Sequence, residues 1–296
     1  MKSVKDIFKA SLSLLYRCVL FFSQMIEKIF PSAASFWNQL EIGHTEAKKS
    51  EVIHDLNGTS VKLVFYTPNA LTKYRADTFS TKEPETLEWI NKYGTKGGIF
   101  FDIGANVGLY SIYNAKTMGG ITYSFEPSVF NLKLLVKNIN VNNCQKNIRI
   151  ITNPLTSANS FADFNLQSTV DGGALSSFGV DYGHDGTKLN TQVSYQTLGF
   201  SLDYLVEQKI IADIPTIIKI DVDGIEHLIL KGAVKVLSDP KCRSVLIEVN
   251  DTFIELASDV DSILKATGFT LLQKRSVEAE FLEPGTNFTH NQIWIK

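Results

Sequence analysis

The stretch Ile99-Phe100-Phe101-Asp102-Ile103-Gly104-Ala105-Asn106-Val107-Gly108-Leu109-Tyr110 constrains this chain more than any other. Its apolar run of β-formers reads as a buried parallel strand. An acid, Asp102, stands where that strand should end. Gly104 and Gly108 flank a tight turn, and Tyr110 to Lys116 can start a helix. Strand, glycine turn and helix together form the unit with which an α/β fold brings backbone amides to a ligand.

The spacing narrows the ligand. A dinucleotide fold wants G-x-G-x-x-G with a pyrophosphate at the helix N-terminus. Here two glycines are spaced G-x-x-x-G and an acid precedes them. A carboxylate at that point repels phosphate and suits an ammonium or a sulfonium. S-adenosylmethionine has both and carries no phosphate. Its carboxylate can use free amides of the turn, and its amino group can be held by acceptors including Asp102. A tight β–α turn with no ligand is the competing reading.

Around this unit the chain alternates strand and helix. Strands are expected at 99–103, 121–125, 148–152, 216–221 and 245–249. Helices are expected at about 108–117, up to about 142 with Leu132, Leu135, Val136 and Ile139 on one face, at 225–237 and at 251–267. Residues 269–274 and 292–295 should close the sheet as a strand pair. Residues 155–196 break the rhythm, with strands at 161–166 and 193–198 around a Gly/Ser/Asp-rich stretch. Long irregular segments inside a compact domain are usually functional or disordered. A short helix is expected over 201–206.

The N-terminal part reads differently. Residues from about Lys5 to Phe30 repeat Leu12, Leu15, Val19, Phe22, Ile26 and Ile29 at helical spacing, and Pro31 ends the run. Arg17, Gln24, Glu27 and Lys28 make it too polar and too short to span a membrane, and no signal-peptide pattern follows. Two readings stand: a helix packed on the protein or on a second copy of it, or a helix lying on a membrane surface. A hairpin is expected from Glu51 to Tyr66 about Asn57-Gly58, then a helix over 85–90 with Thr81 as N-cap and Pro84 in its first turn. With net charge −2 there is no electrostatic case for nucleic-acid binding. Cys18, Cys144 and Cys242 form no metal spacing and no disulfide framework, which fits a reducing, cytoplasmic setting.

In an open parallel sheet ligands sit beyond the carboxyl ends of the strands. Four expected strands end in acids there: Asp102, Glu126, Asp221 and Glu248. Glu126 stands where a carboxylate can take both hydroxyls of a ribose, and Pro127 fixes the turn after it. Asn153 is the candidate for an adenine edge. Lys219 lies inside an apolar strand on the same side as Asp221, and a buried lysine needs a partner. It is read either as a structural ion pair or as a lysine that positions Asp221 or a substrate oxygen.

These residues also carry a resemblance. Phe101 to Gly108, Ser124-Phe125-Glu126-Pro127-Ser128, Ile218 to Glu226 with Leu230-Lys231-Gly232-Ala233, and Leu246-Ile247-Glu248-Val249 are similar, in order and spacing, to the motifs of FkbM-type S-adenosylmethionine-dependent methyltransferases. Thr78 to Thr86 resembles the lead-in of members that act on surface polysaccharide. The resemblance implies a Rossmann-like class I methyltransferase sheet, mostly parallel with a terminal antiparallel pair, over 96–296. Residues 1–95 are then an N-terminal helix and hairpin extension, and 155–196 an insertion near the acceptor.

The implied cofactor is S-adenosylmethionine, with Asp102, Gly104, Ala105, Asn106, Gly108, Tyr110, Ser111, Glu126, Pro127, Asn153 and Asp221 as its expected contacts. The implied reaction is methylation of a hydroxyl, often on a sugar. Asp221 is the first choice of general base, with Lys219 beside it, and His184 is the second. Asp223 and Glu226 rank third, as residues that can equally cap the following helix, and His227 reads as a helix-surface residue. Asp221 and Asp223 are the acids that could share a divalent metal with substrate, although nothing in the sequence requires one. Competing readings are a non-catalytic cofactor-binding partner protein and a methyltransferase for a lipid, polyketide or amine. A nicotinamide oxidoreductase is disfavoured because G-x-G-x-x-G is absent. The expected partners are a small-molecule or glycan acceptor, no nucleic acid, and either peripheral membrane contact or a homodimer through the first helix.

Overall fold

A computed structural model describes residues 4–56, 58–276 and 288–296. The chain forms two compact units that divide between Lys48 and Lys49 rather than at residue 95. The first holds α1 (Val4–Ile29) and α2 (Pro31–Glu46), which pack on each other. Pro31 ends α1 as expected, but it also opens α2, where its missing N–H costs nothing at the first helical position. Leu12, Leu15, Val19, Phe22, Ile26 and Ile29 all stand exposed. Among the described residues no helix is long and apolar enough to cross a membrane.

The second unit opens with the hairpin β1 (Lys49–Leu56) and β2 (Thr59–Tyr66); Asn57, half of the expected turn, lies outside the described residues. Next come α3 (Ala70–Asp77) and α4 (Pro84–Tyr93). Asn69 caps α3 through a reciprocal bond pair with Thr72. Thr81 does not cap α4; Glu83 precedes Pro84 there, and its side chain is engaged elsewhere. The alternating region follows as β3 (Ile99–Ile103), α5 (Leu109–Met118), β4 (Ile121–Phe125), α6 (Val129–Val141) and β5 (Ile148–Ile151). On α6 the buried apolar residues are Leu134, Leu135 and Ile139, while Val136 faces out.

The insertion folds as β6 (Ser160–Leu166), β7 (Ser176–Phe178) and β8 (Val193–Gly199), an antiparallel sheet in the order β7-β6-β8. Then come α7 (Leu202–Glu207), β9 (Ile217–Ile220), α8 (Glu226–Lys231), α9 (Val234–Ser238), β10 (Ser244–Asn250), α10 (Ile254–Ala266), β11 (Thr270–Ser276) and β12 (Thr289–Ile295). Gly232-Ala233 splits the single helix expected over 225–237 into α8 and α9.

The main sheet runs β11-β12-β10-β9-β3-β4-β5. The five strands from β10 to β5 are parallel, and β12 and β11 are antiparallel. This is the mostly parallel, Rossmann-like sheet with a terminal antiparallel pair that the resemblance implied. Strand order reverses about β3, so the carboxyl ends of β3, β4 and β9 open a crevice there. Strand alternation sorts the core into two layers. Phe101, Ile103, Ile218 and Ile220 face α8, α10 and the insertion. Phe100 and Ile217 face α4, α5, α6 and the hairpin. Full burial of each such side chain contributes roughly 1.5–3 kcal/mol. Asp102 and Lys219 share the second face, opposite each other in register.

Candidate active site

Gly104 takes the turn at φ +86°, and a Cβ there would lie 1.8 Å from the carbonyl oxygen of Asp221. Only glycine allows the β3 and β9 tips to approach this closely. The turn amides are not free, as the sequence reading expected. Gly104 and Ala105 donate to Phe125, Gly108 donates to Ala105, and Asn106 N donates to Glu126 Oε2 at 2.8 Å. The helix that follows leaves its first-turn N–H groups without intrahelical partners; among the described residues those of Leu109 and Tyr110 have none, while that of Ser111 turns to the Asp102 carboxylate.

Two cavities meet the crevice, and both have Gly104, Asn106, Gly173, Ala174, Asp221 and Asp223 in their walls. The smaller, about 60 Å³, lies against Glu126, Pro127, Asn131 and Asn153. Glu126 is buried and also accepts from Ser128 N at 2.8 Å. Burial raises its pKa from the ordinary 4.5 to about 7, against the pull of those two amides. Asn153 donates its side-chain amide to Leu198 O at 2.9 Å. The larger cavity, about 520 Å³, lies against α3, the lead-in to α4 and the tips of β9 and β10, and takes in Tyr110, Lys219, Asp221, His184 and Glu248.

Asp102 and Ser111 line neither cavity. They sit beneath the turn, where Ser111 Oγ donates to Asp102 Oδ2 at 2.5 Å and lies 2.7 Å from Ser124 Oγ. Asp102 is 1% exposed and burial raises its pKa; its Oδ1 is enclosed without a partner among the described residues. Lys219, equally enclosed, bonds Asp221 Oδ2 at 2.6 Å and lies 5.1 Å from the centre of the Tyr110 ring. The Asp221, Glu83 and Asp102 charges overcome desolvation and hold its ammonium charged. In return, Lys219 keeps the Asp221 carboxyl below its usual range despite burial.

Glu83 was not singled out in the sequence, although it lies in the lead-in that carried the resemblance. It accepts from Tyr110 Oη at 2.8 Å and pairs with Lys82 at 3.3 Å. Glu226 and Asp223 organise loops. Glu226 accepts from Val222 N at 2.9 Å and Gly224 N at 3.0 Å, and burial raises its pKa to about 7. Asp223 accepts from Leu175 N at 2.7 Å. His227 is not a surface residue: it is 1% exposed, because α10 packs over the short α8.

Residues 171–175 form a strap across both cavities. Gly172 N donates to Asn131, Asn106 and Asn131 donate to Gly173 O, and Arg75 Nε donates to Gly172 O at 2.8 Å. The pocket fits the expected cofactor by its orphan groups: Asn106 Oδ1, in both walls, is buried with no partner among the described residues.

The structure therefore brings together Gly104, Ala105, Asn106, Tyr110, Glu126, Pro127, Asn153, His184, Lys219 and Asp221 at one edge, with Gly108, Asp102 and Ser111 supporting the turn from behind. Comparison with known proteins follows from this geometry. No curated protein matches the sequence. Among solved structures, M. jannaschii TYW2 in complex with AdoMet is similar at 13% identity over 84% of this chain and 86% of that one, with a TM-score of 0.44. The precorrin-6y C5,15-methyltransferase of Geobacter metallireducens GS-15 is similar at 10% identity over 72% and 86%, with a TM-score of 0.42. The Methanococcus jannaschii fibrillarin pre-rRNA processing protein is similar at 12% over 83% and 82%, also at 0.42. The family model described as the methyltransferase FkbM domain matches residues 102–271, more than half of the 296-residue chain and all of the strand tips described above. This chain belongs to the FkbM family of S-adenosylmethionine-dependent methyltransferases.

Proposed function

We propose that the enzyme methylates a hydroxyl of a sugar in a surface glycan or related glycoconjugate. The larger cavity carries this reading. Its wall offers hydrogen-bonding groups on Arg75, Lys82, Gln167, Ser168, His184 and Glu248, with the rings of Tyr74 and Tyr110 beside them. A polyhydroxylated acceptor can satisfy those groups and lay its C–H faces on the rings. A lipid chain would leave them desolvated and unpaired.

S-adenosylmethionine, when bound, supplies a methyl group already activated by a positively charged sulfur. Asn106, Glu126, Pro127, Asn153 and the first amides of α5 are the residues that would hold it. The rest of the work is orientation, exclusion of water and the handling of one proton. Glu248 suits the proton acceptor's role. It lines the larger cavity and its carboxylate has no hydrogen bond among the described residues; burial and then the Asp221, Glu83 and Glu226 charges lift its pKa well above 4.5. Asp221, the first choice from sequence, is a weaker base because Lys219 stabilises its ionised form. We assign the Lys219–Asp221 pair to positioning the acceptor oxygen, and His184 in the same wall is the alternative base. For α1 the reading is peripheral contact with a membrane surface, favoured by its exposed apolar stripe. Flotation with anionic vesicles tests it, and a concentration-dependent dimer without flotation would support self-association instead.

Methyl-labelled cofactor offered with a panel of sugars, oligosaccharides, lipids and amines tests the main proposal. Label in a base-stable O-methyl ether of a sugar is the expected result. Label confined to nitrogen or to a lipid would refute it.

A further inference from the structure

On the far side of α8, away from the walls of both cavities, His227 meets two carboxylates of α10. Glu255 and Asp259 stand four residues apart, so both project from one helix face. One ring nitrogen of His227 and one carboxylate oxygen from each acid lie within 4.8 Å of one another. The imidazole is 1% exposed, and its Nδ1 is enclosed with no hydrogen-bond partner among the described residues. An imidazole nitrogen sealed from water and left unpaired is costly. Nothing in the methyl-transfer site uses it.

We propose that His227, Glu255 and Asp259 bind a divalent transition-metal cation of the zinc type, fastening α8 to α10. One imidazole and two carboxylates, with a water, make a four-coordinate set that zinc accepts. The imidazole disfavours magnesium and calcium, which take oxygen ligands. Small rotations bring three groups at this spacing onto bonds of about 2.0–2.2 Å. Glu255 is exposed and free to rotate. Asp259 is paired with Lys231 at 2.6 Å, but that lysine is 41% exposed and can withdraw to solvent.

The site also has a route to the acceptor cavity. The Phe253 ring packs edge-on against His227 at 5.7 Å and against Tyr182 at 5.3 Å, and Gly186 rests on the same ring. Residues 182–186 carry His184 into the cavity wall. A cation that fixes His227 therefore steadies the seat of that segment.

The test uses the full chain, free of any affinity tag and stripped with a chelator. Zinc is titrated by calorimetry and cobalt(II) by visible absorption, with magnesium as the control. One zinc per chain is expected, with a rise in melting temperature and cobalt d–d bands of a four- or five-coordinate N/O site. Glu255→Gln, an exposed change that leaves the core intact, should weaken zinc binding roughly tenfold or more, and Asp259→Asn likewise. Asp221→Asn, in the methyl-transfer site, should leave zinc binding unchanged. No stoichiometric binding, or affinity equal in wild type, Glu255→Gln and Asp259→Asn, would overturn the proposal. None of these readouts depends on methyl transfer, so failure here leaves the acceptor assignment untouched, and the reverse holds too.

Discussion

With Glu126 proposed as a cofactor contact, its titration should set the pH at which this enzyme takes up its cofactor. Its carboxylate is 5% exposed at the end of β4, and each oxygen already accepts one backbone N–H, from Asn106 and from Ser128. The Asn131 side chain also donates to this carboxylate, and of its roughly four lone-pair sites one is left for a hydroxyl donor. Burial raises the carboxyl to about 7, so the cofactor-free protein is roughly half protonated at neutral pH. A ligand that donates a hydrogen bond to the carboxylate must first displace that proton. The sign follows directly: affinity is full above pH 7 and is lost as pH falls through it. About nine-tenths of the molecules are ionised at pH 8 and slightly under one-tenth at pH 6, so affinity should fall roughly tenfold between them.

S-adenosylhomocysteine is the ligand to use, titrated by calorimetry at pH 6, 7 and 8, because it cannot turn over. Glu126→Gln keeps the shape but loses the charge-assisted bond, about 1.5–3 kcal/mol, or roughly 10- to 150-fold in affinity. That variant should also bind with the same affinity at all three pH values. A wild type whose affinity is flat from pH 6 to 8, or a Glu126→Gln that binds like wild type, would refute the assignment of Glu126 to the cofactor.

The same burial makes stability depend on pH. Glu226, like Glu126, holds its proton up to about 7 when folded and to about 4.5 when unfolded, so folding weakens as pH rises through that window. Glu226→Gln should remove about 3 kcal/mol of the stability lost between pH 4.5 and 7.5, measured by urea denaturation; an unchanged pH slope would rule this out. Asp221→Asn should keep S-adenosylhomocysteine affinity within a few-fold, abolish turnover, and cost roughly 3 kcal/mol of stability by leaving buried Lys219 without its bonded counter-ion; retained turnover would exclude the pair from the reaction. Glu248→Gln should lower kcat with cofactor affinity intact and erase the acidic limb of the pH–kcat profile, a limb that must persist if His184 is the base instead. Gly104→Ala should lower the melting temperature and abolish cofactor binding, because the φ of +86° alone costs roughly 1–3 kcal/mol before the clash with the Asp221 carbonyl is counted.

Sequence reading recovered the alternating region best. β3 and β4 have the expected limits because strong β-formers run uninterrupted up to a glycine turn or to Glu126-Pro127. Glu126, Asp221 and Glu248 were legible for the same reason, since they stand at or just past the ends of bounded strands and line the cavities, whereas Asp102, expected beside them, is sealed beneath the turn. What failed was tertiary. Nothing local distinguishes His227 as buried, since a six-residue helix is covered by α10, which begins 23 residues after α8 ends. Glu83, Arg75 and Lys82 join the cavity from elements that precede β3, and no spacing rule links them to it. The strap at 171–175 has no hydrophobic period, and its bonds run to Asn106, Asn131 and Arg75, which lie 41 to 97 positions away. The turn amides were misjudged because β4 and Glu126 claim them, a contact that exists only once the strands are side by side.

The charges at this edge explain why a single lysine sits so deep in it. Glu83, Asp221, Asp223 and Glu248 line one crevice with Asp102 beneath it, and full ionisation would repel strongly in a poorly solvated space. The fold relieves this in two ways. Lys219 neutralises Asp221 outright, and burial leaves Glu248, Asp102 and Asp223 with raised pKa values, protonated more readily than exposed acids. The crevice is thereby held near neutrality, with Arg75 and Lys82 adding positive charge in the wall of the larger cavity. Replacing Lys219 with an uncharged residue would leave Asp221 without its bonded partner. The lysine is therefore best read as the counter-charge that lets these acids share one edge.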